Sequence, residues 1–152
     1  MAKLFIEDLA LAGRRVVMRV DFNVPVKDGK VESDKRLRAS LPSIRYVLDQ
    51  GASLVLMSHL GRPDGQKLPK YSLAPVARHM GLPLASDCVG AEVEARVTAL
   101  RDGDAILLEN LFLTLAEQPD PKALLKLPVR CTNAAFSGPA TTLGQAVHVS
   151  TL

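Results

Sequence analysis

Residues 53–58 read Ser-Leu-Val-Leu-Met-Ser, an unbroken apolar run bounded by polar residues. The run is too short for a helix, and it lacks the alternation that would turn one face of a strand to water. A strand of this kind needs cover on both faces. Parallel sheets supply it, because the crossovers between their strands lay helices above and below.

The neighbouring segments fit that requirement. Residues 15–20, Arg-Val-Val-Met-Arg-Val, form a second short β-branched strand. Residues 21–33 hold Asn23, Pro25, Asp28 and Gly29 and read as a loop. Ser33 or Asp34 can cap a helix running to about Gln50, with Leu37, Leu41, Ile44 and Leu48 on one face and Gly51 as its stop. A Gly- and Pro-rich loop spans 59–71. Ser72 then opens a helix to Met80, ended by Gly81. A short strand near Leu84, a helix over 90–100 and a strand over 105–108 continue the pattern. A weaker helix at 121–127 and a strand at 129–132 close it. Strand and helix thus alternate, which predicts one α/β domain over residues 1–152. Its expected form is a doubly wound, mainly parallel, Rossmann-like sheet with helices on both faces. Ligands of such sheets sit beyond the carboxyl ends of the strands, and the loops starting at Asp21, His59 and Glu109 all leave such ends.

Composition narrows the function. Charged residues make up 23% and apolar residues 47%, a balance that argues against disorder. The net charge of +3 is too small to suggest a nucleic-acid surface. Its basic residues gather over 27–38 and around Arg62, and local groups of that kind suit a small anion. Cys88 and Cys131 have no close thiol or His partner, so they read as small buried hydrophobes in a reducing compartment. Glu7 and Asp8 interrupt any leader-like start, and no apolar stretch nears the ~20 residues of a membrane span. The expectation is a cytoplasmic protein without membrane contact.

Three constellations carry possible chemistry, each with a plain alternative. In His59-Leu60-Gly61-Arg62, the guanidinium can grip an oxyanion with two parallel bonds, Gly61 allows close backbone approach and His59 can donate. The same residues would also make an ordinary surface turn. Asp21-Phe22-Asn23 can hold a hydroxyl, or can simply open a loop through an Asx-turn. Arg36 and Arg38 beside a helix N-terminus can attract an anion or stand solvated. Neither a Gly-x-x-x-x-Gly-Lys-Ser/Thr loop nor a Gly-x-Gly-x-x-Gly turn occurs, and the sequence has no zinc-type His/Cys cluster.

Together, RVVMRVDFNVP (15–25) and LMSHLGRPDG (56–65) resemble signature segments of the phosphoglycerate kinases. YSLAPV (71–76), DCVG (87–90) and LLENL (107–111) follow in that family's order. The resemblance is strong over 3–111 and weak over 112–152. It implies the N-terminal, 3-phosphoglycerate-binding half of a two-domain glycolytic enzyme that moves a phosphoryl group between 1,3-bisphosphoglycerate with ADP and 3-phosphoglycerate with ATP. On that footing Asp21, Phe22 and Asn23 hold the glycerate, Arg36 lies near the carboxyl and the transferring group, and His59, Leu60, Gly61 and Arg62 complete a basic cradle. Mg-ATP or Mg-ADP would need a separate nucleotide-binding domain as partner, because no cofactor site is implied in these residues. The chain departs from the family pattern at Phe112, where the family has an arginine, and near Thr141 or Ala146, where a second is absent. These losses, with the missing nucleotide site, predict that the chain alone is inactive. A ligand-free remnant or interaction module of the same fold is the other expectation.

Overall fold

The computed structural model describes residues 5–63 and 66–111 and, by backbone alone, 131–136 and 146–150. In chain order the elements are β1 (Arg15–Arg19), β2 (Val26–Lys27), β3 (Lys30–Val31), α1 (Lys35–Asp49), β4 (Ser53–Met57), α2 (Ala74–Met80), α3 (Ala91–Thr98), β5 (Ala105–Leu107), β6 (Cys131–Phe136) and β7 (Ala146–Ser150). Five of the strands form one sheet in the order β5-β4-β1-β7-β6. β4 pairs in parallel with both β1 and β5, whereas β7 runs antiparallel to β1 and to β6.

The register explains how one sheet feeds two cores. Val16 pairs with Leu54 and Met18 with Leu56, which in turn faces Leu107. These side chains share a face and pack with Leu37, Ile44 and Val47 of α1 and Val76 and Ala77 of α2. The alternate residues Val17, Val55 and Ile106 point the other way, onto Val93 and Val97 of α3. Every residue of β4 is buried, as its unbroken apolar run demands. Helices therefore cover both faces, and the expected α/β class forms around the parallel trio β5-β4-β1, while the two pairings made by β7 are antiparallel.

Helix ends follow local chemistry. Gly51 and Gly81 adopt φ of +79° and +68° and stop α1 and α2, a conformation that costs glycine nothing. Asp34 sits at the start of α1, but its carboxylate turns to Arg38 at 2.9 Å and His79 at 3.4 Å instead of capping the backbone. The buried stripe of α1 is Leu37, Ser40, Ile44 and Val47, so Leu41 and Leu48, expected on that face, are only half-buried at its margins. Pro42 lies inside the helix, on its exposed side. There its missing N–H leaves one intrahelical bond unmade, with the gap turned toward water.

Other expectations need correction. The 21–33 loop contains the β2–β3 hairpin. Its turn residues Asp28 and Gly29 have φ of +49° and +72°, the two positive values of a tight two-residue turn. The strand near Leu84 is a single parallel bridge to Leu107. The strand expected at 129–132 appears as β6, starting at Cys131 and reaching Phe136. β7 was not anticipated, because its antiparallel place beside β1 is a long-range choice. The helix expected at 121–127 lies outside the described residues. No helix among those described is long and apolar enough to cross a membrane.

The two-core arrangement predicts a sharp contrast between inner and outer leucines. Leu56→Ala, at a fully buried position, should lower the unfolding free energy by about 2–5 kcal/mol. Leu68→Ala, where the side chain is 37% exposed, should change it by less than about 0.5 kcal/mol. Urea denaturation of the two variants measures both values.

Candidate functional site

The carboxyl ends of β1, β4 and β5 open onto one edge of the sheet, and the loops leaving them are stitched together there. Val20 N–H, just past β1, donates to Met57 O at 2.9 Å and keeps the two strands in step as they end. The Asp21 carboxylate accepts the Asn23 N–H at 3.1 Å, so the loop does open through an Asx-turn. That turn leaves the Asn23 side chain aimed at the neighbouring loop, where its Oδ1 accepts the Gly61 N–H at 3.1 Å. Ser58 Oγ accepts the Phe22 N–H at 2.9 Å, a second bond between the same two loops.

Arg36, in the first turn of α1, reaches back over this junction. Its Nη1 lies 3.2 Å from Asp21 Oδ2 and donates to Asn23 O at 2.9 Å. The pair is solvent-facing, with 52% of the Arg36 side chain and 27% of that of Asp21 accessible. A pair this open contributes at most about 1 kcal/mol. It therefore orients Arg36 without committing it.

His59 is half-buried immediately after β4. Burial pushes its pKa down from the ordinary 6.5. The charges of Arg19 and Arg36 push in the same direction, and Asp21 opposes them. The imidazole accordingly favours its neutral form, with two guanidinium groups and one carboxylate as its charged neighbours. Arg62 is exposed one residue beyond Gly61. Gly61 has φ of +62°, and a Cβ there would come within 2.6 Å of the Tyr71 ring. This position needs glycine for two separate reasons: the left-handed backbone and the close aromatic neighbour.

Of the residues expected here, Asp21, Asn23, Arg36 and Gly61 are joined by direct bonds, and His59 shares their electrostatic environment. The side chains of Phe22 and Leu60 are 0% and 5% exposed and belong to the core. Phe22 anchors the first loop, and the Leu60 carbonyl is tied down by Asn110 at 2.8 Å. Phe112 and Thr141 lie outside the described residues, and Ala146 is described only as the first residue of β7. Arg19, Ser58 and Asn110 fall inside the family-like segments, but sequence reasoning assigned none of them a role of its own. Arg19 and Ser58 carry a recognisable signal, a polar residue at the last turn-out of an otherwise apolar strand. Asn110 carries none, since its role depends on which loop passes beside it.

The sequence model of the phosphoglycerate kinase family matches residues 6–137. A phosphoglycerate kinase of Akkermansia muciniphila is 47% identical over 90% of this chain and 36% of its own length. One of Moorella thermoacetica is 50% identical over 80% of this chain and 33% of its own length. Among solved structures, the phosphoglycerate kinase of Pyrococcus horikoshii superposes with a TM-score of 0.70 at 30% identity, covering 81% of this chain and 34% of that one. That of Coxiella burnetii gives 0.66 at 36% identity, with 75% and 29% covered. The chain thus spans about a third of the length of the curated relatives it matches.

The lowered pKa of His59 has a measurable consequence. Well above pH 6.5 the ring is neutral in both folded and unfolded chains and contributes nothing to pH dependence. As pH falls below 6.5, the unfolded chain takes up the proton first, so stability declines until the folded pKa is passed. His59→Gln should flatten this part of the curve relative to wild type. Urea denaturation at half-unit pH steps, compared between the two proteins, checks the sign.

Proposed function

The chain belongs to the phosphoglycerate kinase family, and we propose that residues 1–152 form its 3-phosphoglycerate-binding half, serving phosphoryl transfer in glycolysis in the cytoplasm. The observation that carries this reading is the Asn23–Gly61 bond together with the Arg36 bridge. Those contacts draw a carboxylate, an amide and the Arg36 guanidinium to one rim at the carboxyl ends of parallel strands.

The chemistry suits these residue types. A carboxylate that accepts or surrenders a phosphoryl group is already ionised at neutral pH, so no general base is required. What remains is to hold the reacting ends in line and to neutralise charge on the transferred group. Arg36 supplies a permanent cation over the junction, and Arg62 supplies another beyond Gly61. Asp21 accepts from a ligand hydroxyl. Asn23 has its Oδ1 taken by Gly61, so its Nδ2 is the group that meets a ligand oxygen. The Arg36–Asp21 pair loosens cheaply, and an incoming anion can replace part of it. Phosphoryl donor or acceptor as Mg-ATP or Mg-ADP would be brought by a nucleotide-binding domain outside residues 1–152.

Titration with 3-phosphoglycerate tests the site. Wild type should bind weakly, because two family arginines are absent, and Arg36→Ala and Arg62→Ala should each weaken binding by a further amount of about 1.5–3 kcal/mol, roughly 10- to 150-fold. Added salt should weaken binding as well, because the rim is open to solvent. Equal binding by wild type and both variants would locate the ligand elsewhere.

A second expectation concerns turnover. The purified 152-residue chain should give no transfer from ATP to 3-phosphoglycerate in a coupled assay. Turnover that rises in proportion to protein concentration would overturn it. The substitution of Phe112 for a family arginine favours the alternative of a ligand-free remnant. Absence of any saturable shift when the 3-phosphoglycerate titration is followed by NMR would decide for that alternative.

A further inference from the structure

The loop that leaves β4 at Ser58 and enters α2 at Ala74 carries His59, Gly61 and Arg62, and both of its ends are tied to a single dipeptide. Residues 108–111 continue β5 alongside β4. Leu108 N–H donates to Leu56 O at 2.9 Å and Leu111 N–H to Ser58 O at 3.1 Å. From that track Asn110, 1% exposed, donates through Nδ2 to Leu60 O and to Tyr71 O, each at 2.8 Å. Its neighbour Glu109 takes the far end of the loop. Oε1 accepts the Leu73 N–H at 2.8 Å, and Oε2 accepts the Ser72 hydroxyl at 2.7 Å.

Four bonds thus close the loop at its base. Loops of this length have few ladder bonds of their own and open at low cost unless something else constrains them. The constraint reaches the rim through Tyr71. Asn110 holds the Tyr71 carbonyl, and the Tyr71 ring lies against Gly61, within 2.6 Å of where a Cβ would be. Gly61 in turn donates to Asn23. Any slack at Asn110 is therefore slack at Gly61 and at the residues on either side of it.

We infer that Asn110 and Glu109 are positioning residues. From the end of β5 they fix the loop that presents His59 and Arg62 to the rim between β1 and β4. The inference rests on the proposed 3-phosphoglycerate reading only where ligand affinity is used as a readout.

The test uses N110D and E109Q in the full 152-residue chain. N110D keeps the side chain's size but sets carboxylate oxygens against two carbonyls. E109Q keeps its shape and leaves one accepting oxygen. In N110D the Gly61 amide should exchange its hydrogen at least about tenfold faster, while the Val55 amide in β4 exchanges as in wild type. The His59 titration, followed by NMR, should move up toward its ordinary value as the loop opens to water. Affinity for 3-phosphoglycerate should fall about tenfold. E109Q should shift all three in the same direction by less, and it alone decides if N110D does not fold. Unchanged Gly61 exchange and His59 titration in a folded variant would overturn the inference. So would a Gly61 change that only parallels Val55, since that reports global stability. If wild type shows no affinity for 3-phosphoglycerate while exchange and titration shift as expected, the positioning role stands and the ligand assignment fails.

Discussion

A strand buried along its whole length can offer polar groups to solvent only at its ends. β4 is such a strand, and the requirement to cover both of its faces dictates the helices around it. α1 and α2 close one side and α3 the other, each through an apolar stripe that meets alternate residues of β1, β4 and β5. With both faces sealed, the polar groups of these strands meet solvent through the loops at the carboxyl edge, where ligands of such sheets commonly sit. The same covering that builds the core therefore sets the position of the candidate site.

Energetically, the site is built in two layers. Bonds at buried or half-buried positions fix the loops: Ser58 to Phe22, Asn23 to Gly61, and Asn110 to Leu60 and Tyr71. Losing any of these leaves a desolvated polar group without its partner, at a cost of about 1–3 kcal/mol. The outer contact, Arg36 with Asp21, is solvent-facing and weak. The scaffold holds its shape while the cation can exchange one oxygen partner for another.

His59 sits at the boundary of these layers. Burial and two nearby guanidinium groups, of Arg19 and Arg36, disfavour its protonated form, and Asp21 only partly offsets them. The neutral imidazole adds no further positive charge beside Arg19 and Arg36. A bound anion would reverse that balance. Across the sheet, β1 gains its second neighbour from β7, which runs antiparallel to it. The part of the fold that carries the candidate site is the parallel trio β5, β4 and β1.

The sequence by itself determined the class of fold, because short β-branched runs and the 3.6-residue helical period are local and the apolar run of 53–57 admits few environments. It also determined where helices stop, since Gly51 and Gly81 adopt the left-handed conformation that other residues avoid. The segments around Asp21 and His59 were legible as chemistry-bearing and as family-like. Tertiary structure alone decided what lies beside what. The order β5-β4-β1-β7-β6 is a matter of long-range pairing, and so is the burial of Phe22 and Leu60 between residues that face the rim. The buried stripe of α1 keeps Leu37 and Ile44 but takes Ser40 and Val47 in place of Leu41 and Leu48, because which side of a helix meets its sheet is decided by tertiary packing and not by the helix's own periodicity. Asn110 is the clearest case. Nothing in an Asn after a strand says which carbonyls it will find, and only the path of the 59–73 loop past the end of β5 gives it two of them.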